Sequence, residues 1–423
     1  MKNPIKSLKL KRRVITTLAR VHFFGNPSAK LKIVGVTGTN GKTTTATLLY
    51  RTAIALGYKA GLMGTVENMI NGERILSPET APQTTPDSIY LHKLLNKMVD
   101  KGCEYVFMEV SSHALDQSRV AGIKFAGGIF TNLTHDHMDY HKNFDNYFGA
   151  KKKFFTMLPA NAFALTNADD EYGPKMLEGI KARKFSYSFE ISPIPGIGEG
   201  ELFRGEIKKL DFNGLKLDFN GEEINSKLLG KFNAANLLAV WSTCKLLNFD
   251  MEKVKKILAN IEPPRGRFDH FMSKNGVLVI VDYAHTPDAL EKVLLTVKEI
   301  KNKEGKIISL FGCGGDKDPF KRKVMGKIAA TFSNITIFTA DNPRSEDPAE
   351  IINQMKESLT AEDLKKVIEN TDRHNAILEA VKIAQKGDII LAVGKGHENY
   401  QDIKGVRSYF DDMEEFQKAY EQL

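Results

Sequence analysis

From residue 31 onward the chain alternates short apolar runs with longer amphipathic ones. Residues 31–36 predict a buried strand, and residues 43–56 predict the helix that follows it. Residues 105–110 and 128–131 predict further buried strands, each running into polar residues. Repetition of that unit is the rhythm of a parallel sheet wrapped by helices. Residues 185–229 break the rhythm. Leu215, Leu217 and Phe219 alternate with polar positions, and Asn213-Gly214 and Asn220-Gly221 are turn pairs, so hairpins are expected there. Pro263-Pro264-Arg265-Gly266 punctuates the chain and marks the expected domain boundary. Beyond it, residues 277–281, 306–311, 334–339 and 389–393 predict four more strands with helical segments between them. The expected fold class is therefore α/β. A parallel-sheet domain with a β-rich insertion occupies residues 31–264, and a second α/β domain occupies 265–423. Residues 1–30 form a separate N-terminal arm.

Length and composition fit this division. At ~100–200 residues per domain, 423 residues suffice for two to four buried cores. With 42% hydrophobic and 26% charged residues, a mostly disordered chain is excluded. No stretch approaches the ~18 consecutive apolar residues of a membrane span. Residues 14–24 are apolar but short, broken by Arg20, and lack a small-residue cleavage site, so no secretory signal is expected. Cys103, Cys244 and Cys313 are too far apart for a zinc ribbon or a disulfide framework, and a reducing cytoplasm is the expected setting.

The formal charge of +8 is unevenly placed. Nine of the 60 basic side chains, and none of the 52 acidic ones, lie in residues 1–32, so the remainder is within one charge of neutral. A neutral body disfavours a nucleic-acid partner. The helical spacing of Val14, Leu18 and Val21 makes the basic arm a candidate for peripheral contact with an anionic membrane. A solvated leader resting on the first domain is the equal alternative.

Candidate chemistry centres first on residues 35–44, Gly-Val-Thr-Gly-Thr-Asn-Gly-Lys-Thr-Thr, where an expected strand feeds a glycine-rich turn and then a helix. Amide groups at such a helix N-terminus surround phosphate oxygens. In that reading Gly38, Thr39, Asn40, Gly41, Lys42, Thr43 and Thr44 cradle a nucleotide, with Lys42 on the β and γ phosphates and the Thr43 hydroxyl on Mg²⁺. Val36 stands where the first glycine of the usual phosphate loop would be. Glu109 ends one expected strand and His137 follows another, at the sheet edge where ligands bind. The run Thr-His-Asp-His-Met-Asp-Tyr-His over residues 134–141 also admits a zinc site. Beside a phosphate loop, Mg²⁺ is favoured, with one histidine recruited.

The motifs taken together resemble the Mur ligase family, most closely its type E branch. They run in order: the phosphate loop, Thr84-Thr85-Pro86, Glu109-Val110-Ser111-Ser112-His113-Ala114-Leu115, the histidine-rich segment, and Tyr147-Phe148-Gly149-Ala150-Lys151. Asn233-Ala234-Ala235-Asn236, Gly266-Arg267-Phe268 and Asp282-Tyr283-Ala284-His285-Thr286-Pro287 follow. The last are Gly312-Cys313-Gly314-Gly315-Asp316, Asp341-Asn342-Pro343-Arg344 and Gly394-Lys395-Gly396-His397-Glu398. Each is moderately specific alone, and their common order is strong.

The resemblance implies a P-loop ATPase domain followed by a Rossmann-like C-terminal domain. It also implies an ATP-dependent amide ligase of peptidoglycan precursor synthesis that works through an acyl phosphate. Thr43 and Glu109 would hold one Mg²⁺, and His137 with a CO2-derived carbamate on Lys151 would hold a second. A surface lysine is the local alternative for Lys151. Lys42, Glu109, His137 and Lys151 would be the catalytic set. Asn236 would reach the adenine, Asp282 the ribose hydroxyls and Arg267 the phosphates, and closure of the two domains would exclude water. A strand-end turn former is the alternative for Asp282. Asp341, Asn342, Pro343 and Arg344, with Gly394, Glu398 and Arg322, would select meso-diaminopimelate, Arg344 pairing with its extra carboxylate.

Thr84, Thr85, Ser111, Gln117 and Arg119 match residues that bind the muramoyl-dipeptide of a UDP-MurNAc-dipeptide acceptor. Type E enzymes carry an N-terminal uridine-binding domain of about a hundred residues, whereas 34 residues precede Gly35 here. Three expectations follow: an acceptor held by its muramoyl-peptide end, a diphosphate gripped by the basic arm, or an acceptor, lipid-linked for example, that is not a nucleotide sugar. The alternatives are a folylpolyglutamate-synthase-like or cyanophycin-synthetase-like ligase, which the segments around Arg344 and Glu398 disfavour, and a partner-dependent Mur-like ATP-binding subunit. A cytoplasmic monomer is expected.

Overall fold

The computed structural model describes residues 25–75, 84–190, 197–198 and 201–422. The greater part of the expected basic arm, including the apolar stretch 14–24, lies outside the described residues. Two compact units divide the chain. The first comprises the described residues up to Lys209 with Leu215–Leu228 and Phe232–Ile261, and the second comprises Leu210–Gly214, Leu229–Lys231 and the described part of Glu262–Leu423.

The first unit is built on strands β1 (Lys32–Thr37), β2 (Ala60–Met63), β3 (Asn68–Ile70), β4 (Glu73–Ile75), β5 (Tyr105–Glu109), β6 (Phe125–Phe130), β7 (Phe163–Asn167), β8 (Arg183–Ser188), β9 (Leu202–Asp211), β10 (Gly214–Phe219) and β11 (Glu222–Ser226). They form one sheet in the order β11-β10-β9-β8-β7-β6-β1-β5-β2-β3-β4. The strands from β2 to β9 in that order pair in parallel. β1 lies between β5 and β6, which places three strand ends at one edge. Its Ile33, Val34 and Val36 are fully buried, as a strand covered on both faces requires.

The hairpin region departs from expectation in one respect. β8 continues the parallel sheet and pairs in parallel with β9, and the antiparallel β10–β11 pair follows, closed at Asn220-Gly221. The β-rich segment is therefore an extension of the main sheet. The sole tryptophan, Trp241 on the helix Lys231–Leu246, packs edge-on to Phe203 of β9 and beside Phe219 of β10, fixing that extension. β6 begins three residues before the expected strand because Gly127 and Gly128 interrupt the apolar pattern. Both glycines leave room for rings, Phe163 over Gly127 and Phe154 over Gly128. Each buried phenylalanine contributes about 1.5–3 kcal/mol.

The second unit has β12 (Asp269–Met272), β13 (Leu278–Asp282), β14 (Ile307–Phe311), β15 (Ile335–Thr339), β16 (Val367–Asn370) and β17 (Ile389–Val393). Their order is β12-β13-β17-β14-β15-β16, parallel except for the edge strand β12. Period-two alternation divides β13 between two cores: Leu278 and Ile280 pack with Leu294, Met325 and Ile351, while Val279 and Val281 pack with Ile377, Ala380 and Phe416. This is the Rossmann-like α/β arrangement. A separate hairpin, β18 (Tyr400–Ile403) and β19 (Val406–Tyr409), follows the main sheet. Among the described residues, no helix is long and apolar enough to cross a membrane.

Candidate active site

The phosphate loop lies between β1 and the helix Lys42–Ala55, and neighbouring strand ends hold it in shape. The Asn40 amide donates to Asn132 Oδ1 at 2.9 Å, Asn132 Nδ2 returns a bond to the Asn40 carbonyl, and Thr131 Oγ donates to the same carbonyl at 2.6 Å. Gly41 has φ +81°, and a Cβ there would stand 2.6 Å from Asn236 Oδ1, so both backbone and space demand glycine. Asn236 is thus packed beneath the loop, accepting from Thr45 Oγ and donating to Asn233. Lys42 Nζ donates to the carbonyls of Gly38 and Thr39. Thr44 is buried in the first turn of the helix.

Glu109 ends β5 with a carboxylate that is 1% exposed. Oε1 accepts from the Thr65 amide at 2.7 Å, and Oε2 accepts from Thr43 Oγ at 3.0 Å and Thr65 Oγ at 3.2 Å. Among the described residues no lysine or arginine ion-pairs with it. A buried carboxylate without a cationic neighbour is costly, and beside the Thr43 hydroxyl it fits a hard divalent cation with oxygen ligands. Thr65 escaped the sequence reading because β2, which precedes it, is a short run. The available signal was Gly64-Thr65 at the end of that run.

Lys151 is fully buried on the helix Phe144–Met157. Its Nζ donates to the Gly38 carbonyl at 2.6 Å and lies 4.5 Å from the centroid of the Tyr147 ring. Among the described residues no carboxylate ion-pairs with it. Burial, then the nearby Lys42 charge, hold its amine well below the usual lysine range. Two amines thus share the Gly38 carbonyl. The sequence reading offered a surface lysine as the alternative, and the structure places this residue in the interior.

Tyr147 Oη bonds Thr39 Oγ at 3.0 Å, and the His137 ring lies 6.2 Å from the Tyr147 ring, so His137, Tyr147, Lys151 and Thr39 form one cluster. His137 is exposed with φ +55° and sits edge-on to His113 at 4.8 Å. His141 instead bonds Ser112 Oγ. Among the described residues, no group of three His, Cys, Asp or Glu side chains is placed to hold a metal.

Thr84, Thr85, Ser111, Gln117 and Arg119 adjoin Glu109. Thr65 Oγ hydrogen-bonds Thr84 Oγ, Thr85 Oγ donates to the Glu109 carbonyl, and the Ser111 amide donates to Thr85 Oγ. Arg119 donates from Nη1 to the Thr85 carbonyl and from Nε and Nη2 to Gln117 Oε1.

In the second unit the residues singled out lie at the carboxyl ends of the strands. Asp282 ends β13, its oxygens accepting the amides of Phe268 and Ala284 at 2.8 Å each. Burial raises its pKa, opposed by Arg267. The Arg267 guanidinium lies 4.9 Å from the centroid of the Tyr283 ring. The loops after β15 and β17 meet. Gly394, with φ +107°, admits Asp341 Oδ2 to 3.1 Å of where a Cβ would stand. Asn342 Nδ2 donates to Glu398 Oε2 at 2.7 Å. Pro343 is buried. Arg344 Nη1 donates to the Gly315 carbonyl at 2.6 Å, while its own amide donates to the Asp402 carbonyl.

Burial, then Asp341, raise the Glu398 pKa. Lys395, unmarked in the sequence beyond its place in a motif, is fully buried; its Nζ donates to Asn342 Oδ1 at 3.3 Å and lies 3.8 Å from Asp341. Arg322 is 1% exposed, forked onto both oxygens of Glu346 at 2.6 and 2.8 Å and bonded to Gln354 and the Gly314 carbonyl. That fork holds the Glu346 carboxyl at about 2.

Comparison with known proteins agrees with both units. The Mur ligase middle domain profile matches residues 36–244, and that of the Mur ligase, glutamate ligase domain matches residues 266–396. A Bacteroides fragilis protein named UDP-N-acetylmuramoyl-L-alanyl-D-glutamate--2,6-diaminopimelate ligase is 50% identical over 94% of this chain and 79% of its own length. A solved structure titled with the same enzyme name superposes with a TM-score of 0.67 at 32% identity, covering 93% of this chain and 78% of that one. Folylpolyglutamate synthase from Thermotoga maritima superposes equally well, 0.67 over 90% of each chain, but at 16% identity it shares the fold alone. A phosphate loop backed by Glu109 and a buried Lys151, followed by a Rossmann-like unit, thus carries the sequence of one group throughout: the chain belongs to the Mur ligase family.

Proposed function

We propose that this protein is the ATP-dependent ligase that joins meso-diaminopimelate to the D-glutamate of UDP-N-acetylmuramoyl-L-alanyl-D-glutamate. The observation that carries this reading is the meeting of the loops after β15 and β17. It brings Asn342 onto Glu398 and Asp341 against Gly394, with the Arg344 charge acting on Glu398, an arrangement suited to an amino acid with a distal ammonium-carboxylate centre. The 50% identity to a named 2,6-diaminopimelate ligase supports the same choice.

A carboxylate is a poor acyl donor because oxide would have to leave. Transfer of the γ-phosphoryl group from ATP to the D-glutamate carboxylate breaks the bond to the β phosphate and gives an acyl phosphate and ADP. The diaminopimelate amine attacks its carbonyl carbon, and collapse of the tetrahedral species releases phosphate and forms the amide. Such catalysis is mainly positioning and charge neutralisation.

In this reading the amides of residues 38–44 and the Lys42 ammonium hold the β and γ phosphates. Asn236 is proposed as a further nucleotide contact within the first unit. Thr43 and Glu109 are proposed ligands of one Mg²⁺, and His137 with a carbamate on Lys151 of a second. Bound there, the metal would supply neutralising charge for the phosphate oxygens. The low-pKa amine of Lys151 is the nucleophile that CO2 requires, and its carbamate would offset the Lys42 charge at Gly38. Thr84, Thr85, Ser111, Gln117 and Arg119, bonded around Glu109, are proposed to hold the acceptor near the reacting carboxylate. Asp341, Asn342, Pro343, Arg344, Gly394 and Glu398 hold the amino acid, with Arg322 supporting them through Glu346. Three free, buried cysteines suit the cytoplasm.

The test incubates the protein with ATP, Mg²⁺, the UDP-linked muramoyl-dipeptide and single amino acids. Phosphate release dependent on diaminopimelate, with a tripeptide product by mass, is expected. Preference for lysine would refute the amino-acid assignment, and product only from a lipid-linked dipeptide would refute the acceptor. Thr65→Val removes one hydroxyl donor from Glu109, and a roughly 10–100-fold rise in the Mg²⁺ concentration needed for half-maximal rate is expected. An unchanged Mg²⁺ titration would deny Thr65 that role.

A further inference from the structure

Behind the amino-acid loops lies an ion pair with no solvent access. Arg373, the first residue of the helix Arg373–Ile383, and Asp412, the first residue of the helix Asp412–Glu421, are each 0% exposed as side chains. Their contact is a fork, Nε to Oδ1 at 2.7 Å and Nη2 to Oδ2 at 2.6 Å. Two of the three remaining guanidinium donors go to backbone. Nη1 donates to the Ala340 carbonyl at 3.1 Å, and Nη2 donates to the Val393 carbonyl at 3.4 Å.

These carbonyls belong to particular places. Ala340 follows β15 and directly precedes Asp341-Asn342-Pro343-Arg344, and Val393 ends β17 and directly precedes Gly394-Lys395-Gly396-His397-Glu398. β15 and β17 do not pair, because β14 lies between them. The sheet ladder therefore fixes the two loop origins only through a third strand, whereas one planar cation binds both directly. Beyond that tie the loops are cross-linked again. Lys395 Nζ and the Asp402 amide both donate to Asn342 Oδ1, which turns Asn342 Nδ2 toward Glu398.

We propose that Arg373, held in orientation by Asp412, is a positioning residue of the amino-acid site, fixing the spacing between the loop that carries Arg344 and the loop that carries Glu398. The inference rests on the proposed function for the identity of the amino acid, but not for the geometry. A planar fork with several donors in fixed directions suits this task, whereas a lysine's three donors radiate from one atom and cannot make the four bonds to Asp412 and both carbonyls. Asp412 keeps the cation paired, which a charge buried at this depth requires.

The informative variant is Arg373→Met with Asp412→Leu, which removes both charges together and avoids leaving one buried alone. Arg373→Lys is the second variant, retaining the charge if the double variant does not fold. Two readouts apply. Without substrate, hydrogen exchange is expected to accelerate about tenfold in residues 341–346 and 394–402 relative to the rest of the unit. With substrate, KM for the amino acid that the wild type incorporates is expected to rise about tenfold, discrimination between diaminopimelate and lysine to narrow, and KM for ATP to stay within about twofold. Unchanged exchange in both loops, or a loss confined to kcat with KM and discrimination intact, would overturn the proposal. A wild type that ignores diaminopimelate would overturn the functional reading instead, leaving the exchange result to judge Arg373.

Discussion

Lys151→Ala is expected to lower ligase turnover by roughly a hundredfold or more, the scale of losing an electrostatic group at the reacting phosphates. The fold should survive. The lysine is fully buried and, among the described residues, ion-pairs with no carboxylate, and Lys42 continues to donate to the Gly38 carbonyl. An unaltered melting temperature would separate this loss from unfolding. Formate or acetate is expected to restore part of the activity by occupying the space with a free carboxylate. Lys151→Arg should be as inactive as the alanine variant, because a guanidinium does not take up CO2. Full activity in either variant would remove the carbamate from the account, and would leave His137 without a proposed partner ligand.

Arg344→Ala is the second large effect. Truncating one side of a desolvated charge pair costs about 2–5 kcal/mol, so kcat/KM for diaminopimelate should fall roughly thirtyfold to several thousandfold. Lysine, which lacks the second carboxylate, should lose far less, and the ratio between the two substrates is the quantity to measure. Arg344 is well placed for such a role. Its amide and carbonyl are tied to Asp402 and Lys404, and its φ of +50° is maintained by that tie. Its Nη1 already bonds the Gly315 carbonyl, so part of the guanidinium is pre-oriented before any substrate arrives. An unchanged ratio would show that discrimination lies elsewhere in the pocket.

The two predictions probe different units and fail independently. In the proposed function Lys151 and Glu109 serve the activation of a carboxyl group, and Arg344 and Glu398 decide which amine is accepted. A protein that loses activity with Lys151→Ala but keeps its substrate ratio with Arg344→Ala would be a ligase whose amino-acid discrimination does not rest on Arg344.

The sequence by itself determined the linear features. Apolar runs about five residues long between amphipathic stretches identified β1, β5, β13, β14, β15 and β17 within a residue or two, because buried parallel strands have no polar face to blur the pattern. The phosphate loop was legible because its glycines and Lys42 are contiguous. Strand neighbours, by contrast, are set by tertiary packing. β2 has only four residues, β7 ends in the polar pair Thr166-Asn167, β6 contains two glycines that serve phenylalanine rings, and the parallel pairing of β8 with β9 depends on a partner fourteen residues away.

The same division holds at the site. The run of three lysines does not by itself distinguish the first; the motif over residues 147–151 singled it out through the family resemblance, and the folded helix shows that its amine is buried against the Gly38 carbonyl. Thr65 reaches Glu109 across 44 residues, and Arg373 reaches Asp412 across 39. Local sequence encodes which groups are present and which backbone turns they occupy. Desolvation, and the hydrogen bonds that orient a buried charge, exist only once distant segments have closed around it.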